Sequence, residues 1–194
     1  MKINIDGPKG TGKSTLSALF RESLNARHEY VSYKRVYNVD EYVRLINLND
    51  SRDLIMERGI LSSWIYTWLR DGVFEGNGWF KPAHMSDFKR VIDEFDAFIV
   101  FYSSDPDVLL NRIDERNALT GKGADDRERE EIARTSELFR LFAEFLRDYC
   151  DCPNIEVIDV AQDSRIAKEI YYDVIAQIPD KVIIPVSYTH LRAH

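Results

Sequence analysis

Residues 7–15 read Gly-Pro-Lys-Gly-Thr-Gly-Lys-Ser-Thr, a pattern of glycines, lysine and serine whose spacing suits the binding of phosphate groups. The glycines allow a tight turn whose backbone N–H groups converge on phosphate oxygens. Lys13 would bring a positive charge to the outer phosphates, and the Ser14 hydroxyl suits a Mg²⁺ ligand. We therefore expect a nucleotide-binding P-loop whose contacts come from Gly7, Lys9, Gly10, Thr11, Gly12, Lys13, Ser14 and Thr15.

The segments on either side of this loop have the patterns of a strand and a helix. Residues 2–6 form a short strand pattern, and after Ser14 the apolar residues recur at helical spacing, at Leu16, Leu19, Phe20 and Leu24. Strand, loop and helix thus occur in the order that a P-loop requires. We expect the chain to use ATP and Mg²⁺ as cofactors.

The rest of the chain alternates between strand-like and helical segments. Strands are expected at residues 3–5, 30–33, 54–57, 97–102 and 155–160. Helical periodicity occurs in segments 39–46, 60–69, 88–95, 109–113, 138–149 and 166–174. Such alternation predicts a parallel sheet with helices on both faces. The expected fold class is α/β, a three-layer P-loop NTPase fold with a five-stranded parallel sheet.

Composition limits the domain organisation and the partners. With 194 residues and 44% hydrophobic content, the chain can bury one α/β core, so we expect a single domain over residues 1–185. Lys and Arg number 26 against 33 Asp and Glu, a net charge of -7 that disfavours nonspecific binding to long nucleic acid. A small nucleotide or nucleoside acceptor held by local cations is compatible with this charge, and a homodimer is allowed.

Location and cysteine use point to an ordinary intracellular enzyme. No apolar run approaches the roughly 20 residues that span a bilayer, and the N-terminus lacks a signal-peptide pattern, so we expect a cytoplasmic protein without a membrane partner. Cys150 and Cys152 form an isolated pair, which favours reduced structural thiols over a metal site. Residues 186–194 look like the translation of a sequencing-library adapter, and we expect this tail to be non-native.

Phosphoryl transfer requires charge neutralisation around the moving group, so cations outside the P-loop are candidates for catalysis. Glu57 and Arg58 end the third strand, where the carboxyl edge of a parallel sheet faces the ligand. Glu57 is a candidate for orienting Mg²⁺-bound water or accepting a proton, and Arg58 for holding an acceptor phosphate. A charge pair without a catalytic role is the alternative.

A lid is expected near residues 116–129. Arg116 and Arg127 flank a glycine-bearing loop expected over 117–126, and closing a basic lid would exclude water and bring Arg to the transferred phosphate. A solvated helix start is the alternative for this charged segment. The loop at 71–82 is a second candidate cover.

Six aromatic residues could include a stacking face for a base, although core packing is favoured: Trp64, Tyr66, Trp68, Phe74, Trp79 and Phe80.

Taken with the P-loop, the pair Glu57-Arg58 and the segment Asp126-Arg127 before an aromatic-rich helix, the chain resembles the thymidylate kinase family and is similar to deoxynucleoside kinases. Residues 98–113 look like the family's strand, loop and helix leading to the lid, and residues 158–161 like its last strand, after which a loop typically contacts adenine. The resemblance covers about residues 1–178. It implies a nucleoside monophosphate kinase, with Lys13, Glu57, Arg58 and Arg127 catalytic, Arg116 at the nucleotide, and Ser14 and Glu57 at the metal.

Two departures from the family pattern affect the substrate. Lys9 occupies a P-loop position that is normally acidic, and only about one helix fits between residues 36 and 52, where the family usually has two. The acceptor could therefore be a deoxynucleoside, a modified pyrimidine, free or in DNA as for viral DNA-modification kinases, or an adenylate-type small molecule. A non-catalytic module that senses ATP is the alternative from a different class.

Overall fold

The computed structural model describes residues 1–24, 27–30, 39–48, 53–71, 85–121 and 126–178. Five strands occur, β1 (Lys2–Asp6), β2 (Arg27–Tyr30), β3 (Leu54–Glu57), β4 (Ala97–Tyr102) and β5 (Ile155–Asp159). Seven helices occur among the same residues, α1 (Lys13–Leu24), α2 (Val39–Ile46), α3 (Ile60–Asp71), α4 (Met85–Ile92), α5 (Pro106–Thr120), α6 (Asp126–Tyr149) and α7 (Ala167–Gln177). The expected tail at 186–194 lies outside the described residues.

All five strands run parallel, in the spatial order β2-β3-β1-β4-β5. The expected five-stranded parallel sheet is confirmed. β1 lies at its centre and pairs Ile5 with Glu57 of β3 on one side and with Ile99 of β4 on the other. The P-loop follows β1, and Glu57 ends β3 with Arg58 directly after it, so the loop and this pair of residues emerge at the same carboxyl edge of the sheet.

Successive strand residues feed two separate apolar layers because strand side chains alternate between faces. Ile55 and Ile99 belong to the core under α1 and α7, and Met56 and Val100 to the core under α2, α3, α4 and α6. Both cores consist mainly of buried aliphatic and aromatic side chains. The expected three-layer arrangement, with helices on both faces, is therefore confirmed.

The boundaries of α5 follow from capping at both ends. Asp105 accepts the backbone N–H of Asp107 at 3.0 Å, and Pro106 occupies the first helical position, where its missing N–H costs nothing. The helix ends at Gly121, whose left-handed backbone (φ 69°) favours glycine. The loop expected to begin at residue 117 was therefore wrong at its start, since α5 continues to Thr120.

One strand differs from its expected position. β2 begins at Arg27 rather than Tyr30, and residues 31–33 lie outside the described part of the chain. Residues 27–29 are Arg, His and Glu, so they carry no apolar strand signal. β2 is an edge strand, and its backbone pairing to β3 does not require both faces to be apolar. The single helix expected between β2 and β3 is α2, the one helix described there.

Cys150 and Cys152 are free thiols, as expected, and Cys152 is buried. Burial raises the pKa of the Cys152 thiol to about 11, so the group is neutral and unreactive near neutral pH. No described helix combines the length and apolar character needed to cross a membrane.

Candidate nucleotide-binding and phosphoryl-transfer site

The P-loop joins the central strand β1 to the N-terminus of α1 and packs against α5. Gly7, Gly10 and Gly12 have φ angles of 140°, 85° and 89°, which side chains other than glycine rarely adopt. At Gly10 an added Cβ would also lie 2.9 Å from the carbonyl oxygen of Leu109. The loop thus turns tightly at the start of a helix, the geometry that presents backbone N–H groups to an anion.

Lys13 is the first residue of α1, and its side chain is 6% exposed. Its ammonium group donates a hydrogen bond to the carbonyl oxygen of Pro8 and lies 3.4 Å from Thr11 Oγ1. Thr11 Oγ1 itself donates to the same carbonyl at 2.9 Å. The loop therefore folds back over the lysine and holds the charge at the mouth of the turn.

The surroundings of Lys13 lower the pKa of its ammonium group to about 7. Burial is the main cause, because removing a cation from water disfavours the charged form. The charge of Arg58 also lowers this pKa and that of Arg116 does so more weakly, whereas Glu57 and Asp6 raise it. These four side chains and Lys13 interact electrostatically, although they come from β1, the end of β3, α1 and α5.

Ser14 and Glu57 meet across two elements of the fold. Ser14 Oγ, at the exposed N-terminus of α1, donates a hydrogen bond of 2.7 Å to Glu57 Oε1 at the end of β3. Glu57 is 7% exposed. A hydroxyl and a carboxylate together provide the oxygen ligands that Mg²⁺ prefers. The structure thus brings together the two residues expected at the metal.

The remaining P-loop residues occupy the expected turn. Thr15 N–H donates to the carbonyl oxygen of Gly12 at 3.0 Å, which begins the hydrogen bonding of α1. Thr15 is exposed, and Lys9 is partly exposed near the tip of the loop. The position where the family pattern is acidic therefore carries a cation at the mouth of the loop.

Arg58 has a left-handed backbone, with φ 60°, which is unusual for a residue with a side chain. Its N–H donates to the carbonyl oxygen of Ile5 at 3.1 Å, so pairing with β1 continues past the end of β3. A non-glycine residue in this conformation costs about 1–2 kcal/mol. Strain of this kind concentrates at functional sites, and the charge of Arg58 acts on Lys13.

The expected lid residues lie at the ends of two helices. Arg116 is exposed on α5, which borders the P-loop because Arg112 Nη1 lies 3.5 Å from the carbonyl oxygen of Gly10. Arg127 lies in the first turn of α6, and its side chain is outside the described part of the structure. The segment 116–129 is thus the end of α5 and the start of α6, and residues 122–125 between them are not described.

A cavity of about 460 Å³ opens beside the P-loop. Its walls are Gly12, Thr15 and Leu16 on one side, and apolar residues Phe101, Ile158 and Val160 on another, while Arg112 and residues 163–166 complete the rim. The volume lies in the range of small-molecule sites, and a mainly apolar cleft with a few polar groups is their usual character. A nucleotide whose base lay in this cavity would have its phosphates at the P-loop.

Solved structures share this architecture. The YorR protein from Bacillus subtilis, in complex with phosphorylated GDP, matches with a TM-score of 0.63 and 19% identity, over 91% of this chain and 94% of that chain. Deoxyadenosine kinase from M. mycoides with bound dATP matches with a TM-score of 0.51 and 17% identity, over 91% and 98%. The chain has the fold of the P-loop kinases.

The NadR protein in complex with NR also matches, with a TM-score of 0.51 and 15% identity, over 96% of this chain and 54% of that chain. No family model matches the sequence, and no curated protein matches it. At these identities the likeness shows a common P-loop kinase fold. The finer resemblance to thymidylate kinases stays a prediction.

Within the P-loop kinase fold, the aromatic residues of α3 divide between core and surface. Trp64 is buried, with its ring centroid 4.8 Å from that of Phe88 and 4.0 Å from that of Phe142, so core packing is confirmed for it. Trp68 is half-buried beneath the guanidinium group of Arg134 at 4.6 Å. Three other members of the expected cluster lie outside the described residues, namely Phe74, Trp79 and Phe80.

Sequence reasoning missed the buried polar residues beneath this site. Asp6 and Asn4 are 0% exposed, and both contact the start of α3. The signal was available, because a carboxylate at the end of a buried central strand needs partners. Residues 163–166, which border the cavity, lie in the loop after β5 that the family resemblance expects at the adenine, although their sequence alone gave no chemical pattern.

Proposed function

We propose that the protein is an ATP-dependent kinase that transfers the γ-phosphoryl group to a nucleoside monophosphate, in the manner of the thymidylate kinases that its sequence resembles. One observation carries the proposal. The Ser14 to Glu57 hydrogen bond of 2.7 Å joins the phosphate loop to the strand end that bears Arg58. Groups for the donor phosphates and for an acceptor thereby share one edge of the sheet, which phosphoryl transfer requires.

The cavity beside Gly12 and Thr15 suits the base and sugar of ATP. Its apolar wall of Phe101, Ile158 and Val160 can pack against one face of a purine, and Arg112 at the rim can lie over the other. The triphosphate would then extend toward Lys13 and the backbone N–H groups of the loop. This orientation places the γ-phosphate between Lys13 and Arg58.

A Mg²⁺ ion bound with ATP would neutralise phosphate charge at this site. Ser14 Oγ and Glu57 would hold it, directly or through water, because both offer oxygen and already lie within hydrogen-bond distance. The described residues contain no group of three or more His, Cys, Asp or Glu that could hold a metal. An ion that shares its ligands between one or two protein groups and phosphate oxygens fits this sparse set.

The acceptor would bind on the β3 side of the loop. Arg58 offers a guanidinium fork for a second phosphate, and its charge reaches Lys13. Arg116 at the end of α5, and Arg127 at the start of α6, would approach the transferred group when the segment closes over the nucleotides. Each of these cations stabilises charge that develops on the moving phosphoryl group.

A nucleoside acceptor is the second candidate, and the placement of Glu57 favours it. Glu57 is a buried carboxylate that already accepts a hydrogen bond of 2.7 Å from the Ser14 hydroxyl. Such a group can also accept the proton of an attacking hydroxyl group. A monophosphate acceptor does not require that step. The two candidates therefore differ in whether Glu57 acts as a base or as a partner of the metal.

ADP release from Mg²⁺-ATP, measured across nucleosides and nucleoside monophosphates, tests the proposal. Acceptor-dependent ADP release that disappears in Lys13→Ala would establish a kinase and identify its acceptor. Monophosphates that stimulate release more strongly than nucleosides would support the first candidate, and the reverse order the second. ATP binding without turnover on any acceptor would instead favour an ATP-sensing module.

A further inference from the structure

The first turn of α3 lacks a capping side chain of its own. α3 begins at Ile60, so Gly59 holds the preceding position and offers no side-chain acceptor for the free N–H groups of the helix. Asp6 supplies that acceptor from the neighbouring strand. Its Oδ1 accepts the backbone N–H of Ser62 at 3.3 Å and also the Ser62 hydroxyl.

The glycine at position 59 is what admits this contact. A Cβ added there would lie 2.0 Å from Asn4 Oδ1 and 3.2 Å from Asp6 Oδ2. Asn4 Nδ2 in turn donates to Asp6 Oδ2 at 3.0 Å, so the two side chains fill the space that a side chain at 59 would need. Asn4, Asp6 and Ser62 are almost completely buried. The arrangement is a built polar contact inside the fold.

Asp6 also adjoins the phosphate site. It directly precedes Gly7, its neighbour Ile5 pairs with Glu57, and the carbonyl oxygen of Ile5 accepts the N–H of Arg58. We propose that Asp6 is a positioning residue that caps α3 from the neighbouring strand and holds residues 57–59 against the P-loop. Its effect on catalysis rests on the proposed kinase function, whereas its effect on α3 does not.

Asp6→Asn is the conservative variant for this cap. Its amide oxygen still accepts from Ser62, and asparagine caps helices about as well as aspartate. Rotation of the Asn4 amide would turn Oδ1, which has no hydrogen-bond partner among the described residues, toward the new NH₂ group. We expect Asp6→Asn to keep the cap, Ser62→Ala to weaken it and Asp6→Ala to lose it.

Hydrogen exchange of the full chain measures the cap directly. Peptides covering residues 60–64 should exchange about tenfold faster in Asp6→Ala, the scale of a lost helix cap, and within about twofold of wild type in Asp6→Asn. Thr135→Ala is a matched control, since Thr135 is also buried and its hydroxyl donates to Glu131 within α6. If residues 60–64 exchange no faster in Asp6→Ala than in Thr135→Ala, the proposal is overturned. Should Asp6→Ala not fold, faster exchange in Ser62→Ala than in Thr135→Ala decides the same point.

The split between kcat and KM measures whether the cap positions residues 57–59, a readout that a merely structural contact would not move. Asp6→Ala and Ser62→Ala should lower kcat and leave the KM for ATP close to that of wild type, because the P-loop is unchanged while Glu57 and Arg58 shift relative to it. Asp6→Asn, the conservative variant, should restore most of kcat. A kcat in Asp6→Asn no higher than that in Asp6→Ala would overturn the positioning role. If no acceptor is ever phosphorylated, the kinase proposal fails, while hydrogen exchange still judges the cap.

Discussion

Ser14 Oγ lies 2.7 Å from Glu57 Oε1, although the two residues are 43 positions apart in the sequence. The contact arises because β1 and β3 are adjacent and parallel, so the loop that follows one strand meets the end of the other. It converts two separate sequence motifs into one site. Its oxygens are also the ones we assign to Mg²⁺, which makes Glu57 the most informative residue to change.

Glu57→Gln should lower turnover by about 10² to 10⁴-fold and raise the Mg²⁺ concentration that gives half-maximal activity. The amide keeps the shape and can still accept from Ser14, so ATP should still bind through Lys13 and the loop. Initial rates over a Mg²⁺ titration measure both effects. Glu137→Gln on the exposed face of α6 is the control for loss of one carboxylate. An unchanged Mg²⁺ dependence in Glu57→Gln would exclude Glu57 from the metal site.

Binding of ATP should be accompanied by proton uptake above neutral pH. The pKa of Lys13 is lowered to about 7 mainly by burial, so at pH 8 the free protein holds this amine largely neutral. Bound phosphate favours the ammonium form and raises its pKa, so binding takes up close to one proton. Calorimetry at pH 8 in two buffers with different ionisation enthalpies measures the number of protons taken up on binding.

The same titration gives the sign of the pH effect on affinity. Below pH 7 Lys13 is already protonated in the free protein and can bind phosphate directly. Above pH 7 the binding of ATP must include protonation of Lys13, so the affinity for ATP falls as the pH rises through about 7. Lys13→Met should abolish the proton uptake at pH 8. Equal heats in the two buffers for wild type would show that Lys13 is already charged.

Much of this fold was predictable because a buried parallel sheet produces a strong hydrophobic pattern in the sequence. The boundaries of β3 and β4 agree with the expected segments, since buried strands are almost continuously apolar. β2 was displaced because an edge strand made of Arg, His and Glu has no apolar signal. α5 was expected to end too early, because its last turn is polar and exposed and only the left-handed Gly121 marks its end.

Residues of the candidate site could be predicted where they form a contiguous motif, and they were missed where their role depends on tertiary contacts. The P-loop is a contiguous motif, and Lys13 and Ser14 lie where it places them. The contact between Asp6 and Ser62 joins residues 56 positions apart, and no periodicity encodes such a pair. Gly59 illustrates the same limit, because its lack of a side chain has meaning only beside Asn4.

Arg58→Gly should be more stable than Arg58→Ala while being equally impaired in turnover. Both variants lose the guanidinium group, but only glycine relieves the left-handed backbone at φ 60°. We expect a difference of about 1 kcal/mol, the cost of this conformation less the entropy that glycine loses on folding. Urea denaturation of the two variants gives the difference. Equal stability would mean that residue 58 leaves the left-handed region in solution.

The two tryptophans of α3 should differ sharply in their contribution to stability. Trp64 is 8% exposed and packs edge-on against the rings of Phe88 and Phe142, so Trp64→Ala should cost about 3–5 kcal/mol. Trp68 is half-buried under Arg134, and Trp68→Ala should cost about 1 kcal/mol, mostly from the lost cation–π contact. Denaturant unfolding of both variants and of Trp64→Phe, which keeps an aromatic ring, measures the order. A larger loss at Trp68 than at Trp64 would show that the aromatic core is centred on the outer turn of α3, contrary to the packing described.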